Sequence, residues 1–214
     1  MAAMRLIGRY ASPFVRRVAV TMRLYGMEYT HESVIPFGET KAGLAPLNPI
    51  TRVPVLVPGH GEPLVDSSAI LDYLDELAGP ERALVPPGGP ERRKVMQLLA
   101  VTLGTMDKVV AAGYERRFRP KELWYRPWLD QCDQQIADGF RWLDQRIEGE
   151  WLTDQRMTQA DITLAVFWSS GRAIRPNFFA RLDCPQIAAL TERLEATPAF
   201  QATQREPEAL PPAL

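Results

Sequence analysis

The sequence has few cysteines, few histidines and no excess charge of either sign. Cys132 and Cys184 are the only cysteines among 214 residues, and they lie far apart without metal-ligand spacing, which argues against a disulfide framework or a zinc site. His31 and His60 likewise have no ligand-spaced partners, so we expect them in solvent and expect no metal. The formal net charge is -1 without a cluster of lysine and arginine, and we therefore expect no nucleic-acid partner.

Long apolar segments are also absent. The longest apolar run, 162–168, is interrupted by Thr163 and is far too short to cross a bilayer. The opening residues, MAAMRLIG, lack the apolar core and cleavage site of a signal peptide. Hydrophobic residues make up 46% of the chain and charged residues 24%, as in ordinary globular proteins. We therefore expect a cytoplasmic protein with no membrane partner.

The first part of the chain predicts a small α/β domain over residues 1–79. Apolar runs, turn residues and helical periodicity define its elements. In chain order these are a strand over 4–8, a helix over 13–26, a strand over 29–34, a broken loop over 36–49 with a short helix near Lys41, strands over 53–57 and 62–65, and a helix over 66–79. The predicted order is βαβ, then a β-hairpin, then α.

The composition changes after Gly79. Glycines and prolines within residues 80–90 predict a linker in which neither helix nor strand persists. Beyond it, residues 91–214 predict a domain made only of helices. The predicted helices cover 91–117, 122–147, 158–172, 184–195 and 198–204. The third is apolar nearly all round, which is typical of a buried central helix, and the proline-containing tail over 206–214 predicts no regular structure.

Two predicted helix starts carry distinct side-chain signals. Ser12 and Pro13 combine a serine N-cap with a proline at the first helical position, directly after a strand. Unpaired N–H groups at such a start carry partial positive charge, and with the Ser12 hydroxyl they could hold an anion. Thr158 and Asp161, in the segment TQAD, form a capping box, and we interpret both as structural.

Four segments together make the chain resemble the cytosolic glutathione transferases. In chain order they are SPFVRRV from Ser12, LNPITRVPVL from Leu47, DSSAILDYL from Asp66 and TQAD from Thr158. The resemblance covers nearly the whole chain. It implies an α/β thioredoxin-like N-terminal domain that binds glutathione, followed by an all-α helical bundle that forms the pocket for the electrophile. It also implies a homodimer that needs no cofactor and uses glutathione as a co-substrate.

The resemblance makes Ser12 the catalytic residue, with its hydroxyl bonded to the glutathione thiolate. A hydrogen bond to a charged group contributes roughly 1.5 to 3 kcal/mol, and a helix N-terminus about 0.3 to 1 more. Together they would lower a thiol pKa of about 8.5 by roughly one to three units. A serine here resembles the plant tau class and related bacterial proteins rather than the cysteine-bearing thiol transferases. Simple helix capping is the alternative for Ser12, and Tyr10 competes for the catalytic role.

The resemblance also implies how the rest of glutathione is held. The bond between Val53 and Pro54 would be cis, so that the backbone of Val53 pairs with the cysteinyl part of the tripeptide. An ordinary trans proline at the start of a strand is the alternative. At the start of the next helix, Ser67 would bind the γ-glutamyl carboxylate and Asp66 would face the ammonium group. Family members commonly have Glu or Gln before the serine, whereas Asp66 is one methylene shorter. Simple N-capping of the helix by Asp66 or Ser67 is the alternative.

The remaining candidates lie at the two ends of the binding site. Lys41 and Arg52 could bind the glycyl carboxylate, with ordinary surface solvation as the alternative for both. Tyr10, Phe14 and Tyr114 could line the electrophile pocket, although core packing or a dimer interface would explain Tyr114 equally well.

Conjugation of glutathione to a hydrophobic electrophile, a detoxification chemistry, is therefore the predicted function. A glutathione-dependent isomerase or dehalogenase is one alternative. A non-catalytic interaction protein with a glutathione-transferase fold is another, but such a module has no use for Ser12, Val53 and Ser67 together.

Overall fold

The computed structural model describes residues 3–153 and 156–206. Within these residues the chain forms two compact units, one of 3–87 with 195–206 and one of 88–153 with 156–194. Nearly all of the tail expected to be irregular, from residue 207 on, lies outside the described residues. The fold is that of a small α/β domain followed by helices, as the sequence predicted.

The first unit is built on a four-stranded mixed sheet. Its strands are β1 Met4–Ile7, β2 Tyr29–Glu32, β3 Val55–Val57 and β4 Leu64–Val65, in the spatial order β2-β1-β3-β4. β1 is parallel to β2, and β3 is antiparallel to both β1 and β4. The helices of the βαβ and ββα parts are α1 Pro13–Leu24 and α2 Ser67–Ala78, and a short 3₁₀ helix over Gly38–Gly43 contains Lys41. The predicted βαβ-ββα order is confirmed.

Several of these elements are shorter than the sequence suggested, for identifiable reasons. β3 begins at Val55 rather than at residue 53, because Pro54 has no N–H with which to extend the ladder. α2 begins at Ser67, since Asp66 is its N-cap. The sheet therefore ends where the predicted binding residues begin.

The second unit is helical. Its helices are α3 Gly89–Phe118, α4 Arg126–Asp144, α5 Gln159–Ile174, α6 Pro176–Phe179 and α7 Pro185–Glu195, with a 3₁₀ turn over Lys121–Leu123. α5 is buried along most of its length, which confirms its prediction as the central helix. α6 and the 3₁₀ turn were not predicted, because segments of three or four residues are too short to show a helical period.

α3 is the one helix of the described residues whose length and apolar composition would suffice to cross a membrane. About 44% of that apolar stretch is buried within the structure. Core helices of globular proteins have the same properties, and α3 packs against both α4 and α5.

The end of the chain groups with the first unit, whereas the sequence assigned residues 91–214 to one helical domain. α8 Pro198–Gln201 lies beside α1. Arg16 of α1 is 2% exposed and donates two hydrogen bonds of 2.6 Å to the Glu195 carboxylate and one of 2.9 Å to the Thr203 carbonyl. These partners are separated from Arg16 by almost the whole sequence, so no local pattern could have indicated them.

The capping box predicted at the start of α5 is present. Asp161 is fully buried and accepts hydrogen bonds of 2.8 Å from the backbone N–H of Leu152, the backbone N–H of Thr158 and the Thr158 hydroxyl. The Thr158 oxygen accepts in turn from the N–H of Ala160 at 3.3 Å. Burial raises the pKa of the Asp161 carboxyl, and the hydrogen bonds oppose that shift. The Asp161 carboxylate and the Thr158 hydroxyl are thus both bonded within the fold.

Candidate functional site

The strand register brings the predicted binding residues to one edge of the sheet. Val55 of β3 pairs with Ile7 of β1 on one side and with Val65 of β4 on the other. Because β3 is antiparallel to both neighbours, the chain that follows β1, the chain that precedes β3 and the chain that follows β4 meet there. These are the segments that carry Ser12, Val53 and Ser67 respectively. We call this edge, with the starts of α1 and α2, the candidate site.

Gly8 allows the two innermost segments of the candidate site to approach. It has φ +126°, and a Cβ added there would lie 2.6 Å from Val15 Cγ2 and 2.8 Å from Val53 Cβ. Any side chain would therefore push the turn after β1 away from Val53.

Ser12 is the N-cap of α1, with φ -77° and ψ 120°. Both of its backbone polar groups are hydrogen-bonded, since its N–H donates to Arg9 O at 3.0 Å and its carbonyl accepts from Arg16 N at 2.9 Å. Its side chain, by contrast, makes no capping hydrogen bond to the described helix, and the residue is only half-buried. The hydroxyl is therefore available at the positive end of α1.

Tyr10 is held differently from Ser12. It is 8% exposed, its ring stacks on that of His31 with centroids 3.9 Å apart, and its hydroxyl lies 2.9 Å from the Tyr29 hydroxyl. Burial, followed by the bond with Tyr29, raises the pKa of the Tyr10 phenol. Tyr10 is therefore protonated at neutral pH, and its hydroxyl already lies within hydrogen-bond distance of Tyr29.

His31 stabilises the turn that follows β1. Its Nε2–H donates to the Gly8 carbonyl at 2.7 Å, while its ring supports Tyr10. The sequence suggested a solvated histidine, because a residue in a polar strand gives no sign of a partner 23 positions away.

The segment before β3 is ordered by Asn48, a buried residue that the sequence analysis did not single out. Its side-chain amide donates to the Arg52 carbonyl at 2.8 Å, and its side-chain oxygen accepts from Ile50 N at 3.1 Å. The bond between Val53 and Pro54 is cis, as the resemblance implied. The side chains of Arg52 and of Lys41, on the 3₁₀ helix, are exposed.

The start of α2 is tightly constrained. Asp66 has φ 68°, a left-handed conformation that costs a non-glycine residue about 1 to 3 kcal/mol. This conformation turns the chain from β4 into α2 within one residue. The Asp66 carboxylate caps the helix by accepting from Ser68 N at 2.7 Å, and it is exposed, whereas Ser67 is buried.

Arg17 lies behind this helix start and was missed by the sequence analysis. It is 1% exposed, and its Nε and Nη2 donate to Ser67 Oγ at 3.1 and 2.7 Å, with Nη2 also 2.9 Å from Ser68 Oγ. Burial lowers the pKa of the Arg17 guanidinium to about 10, and the Asp66 charge opposes the shift, so the group is cationic at neutral pH. The only sequence signal was an arginine on the apolar face of α1.

The other predicted pocket residues are not brought together within either unit. Phe14 is half-buried on α1 of the first unit. Tyr114 is 45% exposed on α3 of the second unit, with its ring edge-on to Phe118 at 5.3 Å. Among residues 3–153 and 156–206, no group of three or more His, Cys, Asp or Glu side chains is arranged to hold a metal ion.

Comparison with known proteins points to one family. The family model for the N-terminal domain of glutathione S-transferases matches residues 6–82. The uncharacterized GST-like protein YibF of Escherichia coli (strain K12) is 28% identical over 210 residues, which cover 94% of this chain and 98% of that one.

Two solved structures extend the similarity to the whole fold. A glutathione S-transferase of Methylobacterium radiotolerans, in complex with glutathione sulfonate, matches all of both chains with a TM-score of 0.89 and 25% identity. A glutathione transferase family member of Pseudomonas fluorescens, with bound glutathione, has a TM-score of 0.84 and 28% identity over 95% of this chain and all of that one.

Proposed function

Because this chain belongs to the cytosolic glutathione transferase family, we propose that it transfers alkyl or aryl groups from hydrophobic electrophiles to the thiol of glutathione. The observation that supports the proposal most strongly is the hydrogen bonding of the Ser12 side chain. Its hydroxyl stands at the start of α1 without a capping bond to the described helix, at the sheet edge where Val53 and Ser67 also lie. A structural N-cap would have spent that hydroxyl on its own helix.

In the proposed reaction, the Ser12 hydroxyl donates a hydrogen bond to the sulfur of glutathione. The bond and the positive end of α1 favour the thiolate over the thiol, so its pKa falls by roughly one to three units. The thiolate then attacks the electrophilic carbon, and the leaving group departs or the double bond takes up a proton. No cofactor enters this scheme, and glutathione is the co-substrate.

Glutathione would lie along the sheet edge in an extended conformation. The backbone N–H and C=O of Val53 would pair with the cysteinyl unit as a neighbouring strand does. The buried Ser67, at the start of α2, would bind the γ-glutamyl carboxylate, and the exposed Asp66 carboxylate would face the ammonium. Lys41 and Arg52 are both exposed and would bind the glycyl carboxylate.

The electrophile would contact apolar and aromatic side chains, for which Phe14 and Tyr114 are our candidates. We assign Tyr10 to the support of the turn, because its ring and hydroxyl are already occupied by His31 and Tyr29. We further propose a cytoplasmic homodimer whose chemistry serves detoxification.

The proposal is tested by retention of the protein on immobilised glutathione, followed by conjugation of a chloronitrobenzene. We expect both retention and turnover. Retention without turnover of several electrophiles would favour a non-catalytic glutathione-binding protein, and failure to bind glutathione at all would overturn the proposal.

A further inference from the structure

The hydroxyl of Ser67 has only one hydrogen-bonding capacity left. A serine oxygen offers two acceptor lone pairs and one donor hydrogen. Both lone pairs face the Arg17 guanidinium, whose Nε and Nη2 lie 3.1 and 2.7 Å from Ser67 Oγ. The hydrogen must therefore point away from Arg17, and no group of the described residues accepts it. The Ser67 hydroxyl is therefore oriented to donate a hydrogen bond to a ligand.

The surroundings of Ser67 favour an acceptor with negative charge. Arg17 is buried directly behind the oxygen and remains cationic, and the first N–H groups of α2 add partial positive charge on the same side. A hydroxyl polarised by a buried cation is a stronger donor than a free serine hydroxyl. A carboxylate meets these requirements better than an amide or an ammonium.

We propose that Arg17 is a positioning residue that fixes the Ser67 hydroxyl as a donor to the γ-glutamyl carboxylate of glutathione. Arg17 acts without touching the ligand itself, and it thereby gives the protein its preference for a tripeptide that carries this carboxylate. The inference rests on the proposed function, since it concerns the same ligand. The inference goes beyond the proposed function because it separates recognition of the γ-glutamyl end of glutathione from activation of the thiol.

The test compares two ligands in calorimetric binding experiments on the full chain. One is glutathione, and the other is γ-aminobutyryl-cysteinyl-glycine, which lacks only the γ-glutamyl carboxylate. The wild-type protein should prefer glutathione by roughly tenfold to a hundredfold, the range of a hydrogen bond to a charged group. Arg17→Lys cannot reproduce the two-pronged contact, so it should lose most of this preference while it binds the analogue about as well as wild type.

Ser67→Ala and a double variant establish that Arg17 acts through Ser67. Ser67→Ala should abolish the same preference, and Arg17→Lys added to it should reduce the preference no further. Arg23→Lys is the matched control, because Arg23 is an exposed arginine of the same helix, and it should bind both ligands as wild type does.

Three results would overturn the inference. The first is an unchanged preference for glutathione in Arg17→Lys, and the second is an equal loss of affinity for both ligands in that variant. The third is an unchanged preference in Ser67→Ala, which would refute the inference even if Arg17 variants do not fold. A wild-type protein that binds neither ligand would instead refute the proposed function, so the two failures are distinguishable.

Discussion

The helices α1 and α5 both have a hydroxyl residue at the N-cap, and the two hydroxyl groups are bonded differently. At α5, the Thr158 hydroxyl donates to Asp161 and accepts from Ala160 N, so its only hydrogen is used within the fold. At α1, the Ser12 side chain makes no capping bond to the described helix. The residue three positions after the cap also differs, because Asp161 completes a capping box at α5 and the apolar Val15 cannot do so at α1. We call the start of α5 the closed start, and the start of α1, whose Ser12 side chain makes no capping bond to the described residues of its helix, the open start.

The largest expected effect is at the closed start. Asp161→Ala removes three accepted hydrogen bonds and leaves the N–H groups of Leu152 and Thr158 buried without partners, so we expect the free energy of unfolding to fall by about 3 kcal/mol. Urea denaturation measures this loss. Asp161→Asn, which keeps one acceptor oxygen, should lose less, and a loss under about 0.5 kcal/mol for Asp161→Ala would remove the basis of the comparison.

The open start should respond in activity instead of stability. Ser12→Ala should lower kcat/KM for a chloronitrobenzene by roughly tenfold to a hundredfold, since it removes one hydrogen bond to a charged sulfur. The free energy of unfolding should change by less than about 0.5 kcal/mol, because no cap is lost. Ser12→Thr, which keeps the hydroxyl, is the control. A large loss of stability in Ser12→Ala would make Ser12 an ordinary cap.

The same truncation at α5 should give the reverse result. Thr158→Ala removes a cap and should cost about 1 kcal/mol of unfolding free energy. Its kcat/KM per folded molecule should equal that of wild type. If activity fell as far as it does in Ser12→Ala, the two helix starts would not be functionally distinct.

The smallest effect should come from Tyr10, whose hydroxyl belongs to the same turn as Ser12. Tyr10→Phe removes only the bond to Tyr29, so we expect a loss of about 0.5 kcal/mol in stability and an unchanged pH dependence of kcat/KM. A pH profile of turnover displaced in Tyr10→Phe would show that the phenol contributes to thiol activation.

Local signals explain what the sequence could predict. The proline after Ser12 and the Thr158 capping box act within a few positions, and the helix starts that they mark are confirmed. The linker expected over residues 80–90 is shorter in the structure, because α3 already begins at Gly89. The residues expected at the site came from the resemblance, and strand pairing then brings their segments to one sheet edge.

Long-range polar partners account for what the sequence could not predict. Arg17 meets Ser67 across 50 positions, and Arg16 meets Glu195 across 179. Adjacent arginines on one helix normally predict a solvated face, yet both are buried because each finds its partner in a distant segment. The second of these contacts joins α1 to residues 195–206, and the first joins α1 to the start of α2.

The pKa of the thiol in bound glutathione tests the central claim most directly. Ultraviolet absorbance of the thiolate, followed against pH, measures it in the wild-type complex and in Ser12→Ala. We predict a wild-type value roughly one to three units below that of free glutathione, and a return towards the free value of about 8.5 in Ser12→Ala with most of the affinity retained. A thiolate signal that is the same in both proteins would contradict the account and transfer the role to another group.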